Sequence, residues 1–170
     1  MNTVTDQPYN VLFICTGNSA RSVMAEAVLN SLGAGRLRAY SAGSFHAGRI
    51  NAFALDLLSS KGFPTSELRS KSSDEFAAKD APQMDFIFTL CDNAAGETCP
   101  IWPGHPATAH WGFEDPAAHP GPDAEKRRMF EKIFLEITAR IRLFLALPLE
   151  KLDRTSLLND LRAIGSAKRA

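Results

Sequence analysis

The most constraining feature of this sequence is an unbroken run of five apolar residues, VLFIC, at residues 11–15. A strand without alternating polar positions must be covered on both faces, as in the interior of a parallel sheet. Small and polar residues follow, and apolar residues then recur at helical spacing, with Met24, Val28 and Leu32 on one side. The pattern therefore predicts a strand, a loop and a helix in that order.

Similar strand and helix patterns alternate along the rest of the chain. They predict further strands at residues 37–42, 86–91 and 107–111, and helices at residues 51–61, 123–147 and 153–164. This alternation predicts an α/β three-layer sandwich, with a central four-stranded parallel sheet and helices on both faces. In such sheets ligands bind beyond the carboxyl ends of the strands.

We expect one domain over all 170 residues, with a catalytic core at residues 9–147 and a short helical extension at residues 148–170. The formal net charge is zero, which gives no electrostatic reason to expect nucleic acid or an anionic membrane as a partner. No apolar stretch is long enough to span a membrane. The N-terminal residues MNTVTDQPYN do not resemble a secretory signal, so we expect a cytoplasmic protein. In that reducing compartment the three cysteines would stay free thiols.

The segment CTGNSARS, residues 15–22, predicts an anion-binding loop, called the oxyanion loop below. Gly17 and Asn18 tolerate backbone angles that other residues resist, which lets successive N–H groups turn toward one point. The positive end of the following helix adds to this field. Arg21 supplies a planar fork that matches two oxygens of a tetrahedral oxyanion. At the centre of the field, the thiolate of Cys15 is a nucleophile directed at phosphorus or a similar atom.

Two details of the loop remain open from sequence. Ser19 or Ser22 could donate a hydrogen bond to the sulfur, and Asn18 or Ser19 could cap the helix. The alternative to a functional loop is a buried structural cysteine before an ordinary capped helix. The residues expected to surround the oxyanion are Thr16, Gly17, Asn18, Ser19, Ala20, Arg21 and Ser22.

A longer set of residues resembles the low-molecular-weight tyrosine phosphatase superfamily and, within it, the arsenate reductases that share the phosphatase fold. The matching segments are CTGNS at 15–19, RS at 21–22, MAE at 24–26, SAG at 41–43, TLC at 89–91, CP at 99–100, HWG at 110–112 and DP at 115–116. The resemblance implies the low-molecular-weight phosphotyrosine phosphatase fold and the reduction of arsenate to arsenite in arsenic detoxification. The alternative that it implies is hydrolysis of phosphotyrosine or aryl phosphates through a phosphocysteine.

The other two cysteines, Cys91 and Cys99, are too widely spaced for a CxxC redox motif. A zinc site with His105 or His110 is disfavoured because no second close pair of ligands exists. From spacing alone, two unrelated structural thiols remain an alternative.

The resemblance implies instead that the three cysteines form a relay. Cys15 would form a covalent adduct with arsenate, Cys91 would attack Cys15 as arsenite leaves, and Cys99 would restore the nucleophile. The final Cys91–Cys99 disulfide would pass to an external thiol system, with thioredoxin the first choice and a glutathione–glutaredoxin pair the second. No tightly bound cofactor is implied.

The chain departs from the better-known reductases at two points. It has one residue more between the second and third cysteines, and it has Ala20 where relatives often have a cysteine. The thiol that relatives have at the position of Ala20 is not part of the relay, so its absence here is not expected to matter. The longer spacing leaves the choice of electron donor open.

The resemblance also implies that Asp115, in an Asp-Pro pair, donates a proton to the leaving oxygen. Glu114 is its competitor for that role. The phosphatases usually follow this pair with tyrosines, whereas this chain continues AAHPG, which suits a small inorganic substrate.

A potassium ion is bound in some relatives by positions that match Asn18, Glu26, Ser41 and Asp74, although a polar network without an ion is an equal alternative, and no metal is firmly expected. A non-catalytic oxyanion sensor on the same fold is the third hypothesis for function.

Overall fold

The computed structural model of the chain describes residues 7–92 and 106–166. Within these ranges the strands are β1 (Tyr9–Cys15), β2 (Leu37–Gly43), β3 (Phe86–Thr89) and β4 (Ala107–His110). The α-helices are α1 (Arg21–Leu32), α2 (Ala52–Ser60), α3 (Asp123–Leu145) and α4 (Arg154–Gly165). In the same part of the chain, two short 3₁₀ helices cover Ser73–Phe76 and Pro116–Ala118.

The four strands form one parallel sheet in the order β2-β1-β3-β4. The VLFIC run lies in β1, inside the sheet, and all five of its residues are buried. Cys15 is level with Gly43 of β2, and Ile14 is level with Thr89 of β3. The predicted three-layer α/β fold with a four-stranded parallel sheet is confirmed, and the residues that follow β1 and β3 meet at one edge.

Alternate residues of β1 enter two separate apolar clusters, as the pleat of a strand requires. Val11 and Phe13 lie in the larger cluster, to which α1, α2, α3 and α4 all contribute. Leu12 and Ile14 lie in the smaller cluster on the opposite face, where Phe76 of a 3₁₀ helix packs. Burial on both faces explains why no position of the run is polar.

An aromatic stack lies beneath the loop that follows β4. Trp111 stacks on Phe88 with ring centroids 3.9 Å apart, and Phe144 of α3 packs edge-on against both. The Trp111 indole N–H donates to the carbonyl oxygen of Leu161 in α4, at 3.0 Å. The C-terminal helix is therefore attached to the residues that lead toward Asp115, while its assignment to the same domain stays a prediction.

Several element ends differ from the sequence-based expectation. β3 ends at Thr89 and β4 at His110. Trp111 N–H still donates to Thr89 in the register of the strands, but Phe113 N–H donates to Leu90, one residue out of that register, so regular pairing stops. α3 ends at Leu145, two residues early, where the next N–H groups turn back onto the last turn. No helix within the described ranges is long and apolar enough to cross a membrane.

The aromatic stack predicts a large stability effect at Phe144. Phe144→Ala removes a fully buried ring, so the free energy of unfolding should fall by about 3–5 kcal/mol. The neighbouring Leu143 is 48% exposed, and Leu143→Ala should cost less than about 1 kcal/mol. Urea denaturation of both variants measures the difference, provided that the unfolding free energy depends on urea concentration with the same slope in both. Equal losses would contradict the assignment of Phe144 to the core.

Candidate active site

The backbone of the oxyanion loop is oriented by the segment that follows β2. The carbonyl oxygens of Thr16, Gly17 and Ser19 accept hydrogen bonds from the N–H groups of residues 45, 47 and 51, at 2.8–2.9 Å. In a trans peptide the next N–H points opposite to the carbonyl. The N–H groups of residues 17, 18 and 20 therefore point away from that segment. For Asn18 this direction leads to the sulfur of Cys15, 3.3 Å from its nitrogen.

Asn18 has the left-handed conformation that the loop requires, with φ of 47°. Sequence analysis divided this role between Gly17 and Asn18, but Gly17 does not have a positive φ. Asparagine adopts this region more readily than most residues. Asn18 is completely buried, and its side chain is held on both sides by hydrogen bonds.

These hydrogen bonds are part of a series that leads from Lys71 through Asn18 and Ser22 to the sulfur of Cys15. The backbone N–H of Lys71 donates to Asn18 Oδ1 at 2.9 Å, which places the Asn18 amide nitrogen toward Ser22. That nitrogen can only donate, so Ser22 Oγ accepts from it at 2.8 Å. Ser22 Oγ also lies 2.8 Å from Cys15 Sγ, so its hydroxyl can donate to the sulfur. The Ser22 hydroxyl and the Asn18 N–H are thus two hydrogen-bonding groups placed at the sulfur of Cys15.

The first turn of α1 has no side-chain cap. Its N-cap residue is Ala20, which corrects the expectation that Asn18 or Ser19 caps the helix. The Asn18 side chain is engaged by Lys71 and Ser22 instead, and the Ser19 carbonyl accepts from Asn51. The positive end of the helix is thereby directed to the space in front of Cys15, where a bound anion would complete the cap.

Arg21 and Asp115 meet beside this space. Arg21 is buried, and its guanidinium donates to the carbonyl oxygen of Phe113 at 3.1 Å. Its other terminal nitrogen lies 3.8 Å from Asp115 Oδ2. Asp115 Oδ1 accepts from the N–H of Ala117, which fixes the carboxyl group at the start of a 3₁₀ helix. A buried guanidinium and a carboxyl group are thus adjacent beside the loop.

The loop that carries Asp115, residues 111–115, is held from beneath by α3. Arg140 is buried, donates to the carbonyl oxygen of Gly112 at 3.1 Å and lies over the ring of Phe113. Sequence analysis gave Arg140 no role, because a single arginine in an amphipathic helix carries no signal of burial.

The second thiol, Cys91, lies two residues beyond the end of β3, the strand that pairs with β1. The N–H of Leu90 donates to the carbonyl oxygen of Ile14 at 2.7 Å, so residues 90–91 run beside the end of β1. Cys91 is completely buried, and neither Cys15 nor Cys91 is part of a disulfide. Cys99 and His105 lie outside the described residues, so the relay and zinc assignments that involve them stay untested.

The family model for low molecular weight phosphotyrosine protein phosphatase matches residues 10–157. The chain belongs to this family. Among curated members, the arsenate reductase of Shouchella clausii is 37% identical over 134 residues, which cover 79% of this chain and 93% of that protein.

Two solved structures of arsenate reductases are similar to this chain in three dimensions. An arsenate reductase from Archaeoglobus fulgidus has a TM-score of 0.60 at 30% identity, covering 78% of this chain and 98% of that one. A thioredoxin-dependent arsenate reductase from Corynebacterium glutamicum has a TM-score of 0.62 at 29% identity, covering 87% of this chain and 66% of that one.

Three of the four positions that the resemblance matched to potassium ligands, Asn18, Glu26 and Ser41, make hydrogen bonds to protein groups. Ser41 donates to the Glu26 carboxylate at 3.1 Å, and Asn18 Oδ1 is occupied by the Lys71 N–H. The Asp74 side chain is exposed on the 3₁₀ helix Ser73–Phe76. Across residues 7–92 and 106–166, no group of three or more histidine, cysteine, aspartate or glutamate side chains could hold a metal ion. These contacts do not test whether an ion binds, so the potassium assignment and the polar-network alternative both stay predictions.

Gly43 leaves room for the oxyanion loop. A Cβ atom there would lie 2.6 Å from the carbonyl oxygen of Thr16 and 3.0 Å from the nitrogen and Cβ of Asn18. The SAG segment was part of the resemblance, but its glycine had no assigned role, because this close approach is visible only in three dimensions.

Gly43→Ala should therefore displace the loop and weaken oxyanion binding. We expect the dissociation constant for inorganic phosphate to rise by about tenfold or more, measured by calorimetric titration. Ala42→Gly is the control, since it alters the neighbouring buried residue of β2 without placing an atom against the loop. Unchanged phosphate affinity in Gly43→Ala would contradict the proposed packing.

Proposed function

We propose that this protein reduces arsenate to arsenite through a relay of cysteine thiols. The observation that carries the proposal is a pair of buried thiols, one at the end of β1 and one in the segment that follows the adjacent strand β3. Cys15 lies at the base of an anion-binding loop, and Cys91 lies in the neighbouring chain segment. A family phosphatase requires only the first of these thiols. The curated and solved relatives named arsenate reductase support the same choice.

In the first step, Cys15 Sγ attacks arsenic while the oxyanion is held by loop N–H groups and Arg21. An As–S bond forms and one As–O bond breaks. The leaving oxygen takes a proton from Asp115 and departs as water. The Ser22 hydroxyl and the Asn18 N–H stabilise the attacking thiolate before the reaction.

In the second step, the thiolate of Cys91 attacks Cys15 Sγ. A Cys15–Cys91 disulfide forms, and the electron pair of the As–S bond stays with arsenic, which leaves as arsenite. Cys99 then attacks Cys91, which forms the Cys91–Cys99 disulfide and releases Cys15 as a thiolate. Two electrons from the protein thiols have then reduced one arsenic atom.

An external dithiol must reduce the final disulfide. Thioredoxin is our first choice, because one structural relative is named a thioredoxin-dependent arsenate reductase. Glutathione with glutaredoxin is the second. We expect the cytoplasm as the location, since such thiol systems maintain reduced cysteines there.

A phosphatase is the second candidate function. The oxyanion loop, Arg21 and Asp115 would serve phosphoryl transfer equally well, and the family is named for that activity. After Asp115 and Pro116 the chain runs AAHPG without a tyrosine, so an aromatic substrate would lack that stacking partner.

Cysteine variants separate the two functions. Cys15→Ser should abolish both arsenate reduction and p-nitrophenyl phosphate hydrolysis, because both require the nucleophile. Cys91→Ser and Cys99→Ser should each lower multiple-turnover arsenate reduction by at least about 100-fold while leaving phosphate ester hydrolysis within about threefold.

The assay follows arsenate-dependent NADPH oxidation with thioredoxin and its reductase, repeated with glutathione and glutaredoxin. Ester hydrolysis by the same preparations shows that each variant is folded. Normal arsenate turnover in Cys91→Ser and Cys99→Ser would rule out the relay and leave the phosphatase as the better candidate.

Asp115→Asn tests the proton donor. We expect kcat for arsenate reduction to fall by about 100-fold or more, because asparagine keeps the acceptor for Ala117 but cannot supply a proton. Glu114→Gln is the matched control at the competing position and should retain wild-type kcat. A loss in Glu114→Gln without one in Asp115→Asn would reverse the assignment.

A further inference from the structure

A buried lysine lies in the polar network beside the oxyanion loop. Lys71 is 6% exposed, although it belongs to the polar stretch ELRSKSSD. Its ammonium group donates to the carbonyl oxygen of Arg69 at 3.1 Å and lies 3.5 Å from Ser41 Oγ. A monovalent cation at this position would likewise supply a buried positive charge and would contact the same two oxygen atoms.

The charge that Lys71 faces is the carboxylate of Glu26. Glu26 is 9% exposed and is joined to Lys71 through the hydroxyl of Ser41, which donates to Glu26. Burial raises the pKa of Glu26, and the positive charge of Lys71 opposes that rise. Burial lowers the pKa of Lys71, and the charge of Glu26 opposes that decrease. Each group is thus the electrostatic partner of the other.

The position of residue 71 matters because its backbone begins the hydrogen bonds that lead to the nucleophile. The Lys71 N–H orients Asn18, Asn18 donates to Ser22, and Ser22 can donate to Cys15. The Lys71 carbonyl accepts from Gly43 N–H at 2.9 Å, which ties the same residue to the end of β2. Contacts that hold the Lys71 side chain in place therefore also help to hold the Lys71 N–H and carbonyl groups that make these two hydrogen bonds.

We propose that the ammonium group of Lys71 is a built-in replacement for a potassium ion, which balances Glu26 and holds the oxyanion loop in its active conformation. Lys71 is then a positioning residue, and the protein does not require potassium. This inference rests on the proposed role of Cys15 as nucleophile, but it does not depend on arsenate being the substrate.

The test compares wild type and Lys71→Met in sodium, potassium and ammonium chloride at equal ionic strength. In wild type, kcat/KM for p-nitrophenyl phosphate and the affinity for inorganic phosphate should differ by less than about twofold between sodium and potassium. In sodium, Lys71→Met should lose about tenfold or more in both quantities, and its melting temperature should fall by at least about 5 °C. Potassium or ammonium should restore part of each loss.

Two further variants serve as controls. Lys79→Met removes an exposed lysine eight residues away and should behave like wild type in every salt. The double variant Glu26→Gln with Lys71→Met has no buried charge left to balance, so it should be more stable than Lys71→Met alone and insensitive to potassium. This pattern separates charge balance from a general packing defect.

Three outcomes would overturn the inference. The first is activation of the wild type by potassium over sodium. The second is a Lys71→Met protein that matches Lys79→Met. The third is a Lys71→Met protein whose losses are equal in all three salts and are not relieved by Glu26→Gln. Melting temperature and phosphate affinity remain informative if the wild type shows no arsenate reduction, so failure of the proposed function would be recognised separately.

Discussion

Three successive hydrogen bonds connect the backbone of residue 71 to the sulfur of Cys15. The first two have a fixed direction, because a backbone N–H and an amide nitrogen can only donate. The Ser22 hydroxyl, which accepts from Asn18, lies 2.8 Å from the sulfur and can donate its proton to it. The loop conformation depends on the same contacts, since they hold Asn18 in a left-handed conformation that costs energy in isolation. Preparation of the nucleophile and shape of the anion site are therefore one structural property.

The parallel sheet explains why distant parts of the sequence meet at this loop. The carboxyl ends of parallel strands lie along one edge, so β1 delivers Cys15 there and β3 is followed by Cys91 at the same edge. The segment after β4 then returns over Arg21 and brings Asp115. It is held by Trp111 in the aromatic stack and by Arg140 from α3. Buried aromatic packing and a buried arginine thus adjoin the segment that carries Asp115.

The elements that could be predicted from sequence are those with a local pattern. The VLFIC run, the helical spacing of α1 and α3 and the glycine-containing loop each indicate their structure without knowledge of the rest of the chain. The residues that could not be predicted act through contacts between distant segments. Lys71 lies in a polar stretch typical of an exposed loop, and it is buried only because residues 69–72 pass beside Gly43 and Asn18. The helix cap failed as a prediction for the same reason, since the Asn18 side chain is directed to Lys71 and Ser22 and away from the first turn of α1.

A thiolate in an oxyanion loop is compatible with two different second steps, and the bound atom decides between them. Pentavalent arsenic readily accepts an electron pair, so attack by a second thiol on the first sulfur can release arsenite and form a disulfide. Phosphorus in a phosphocysteine is not reduced under these conditions, so such an adduct is resolved by water at phosphorus. A chain with a second buried thiol, Cys91, in the segment after β3 can therefore keep the whole phosphatase apparatus and, under the proposed mechanism, still direct its chemistry to reduction. Under the proposed mechanism, the step from phosphatase to reductase requires no change in the loop and only well-placed sulfur atoms outside it.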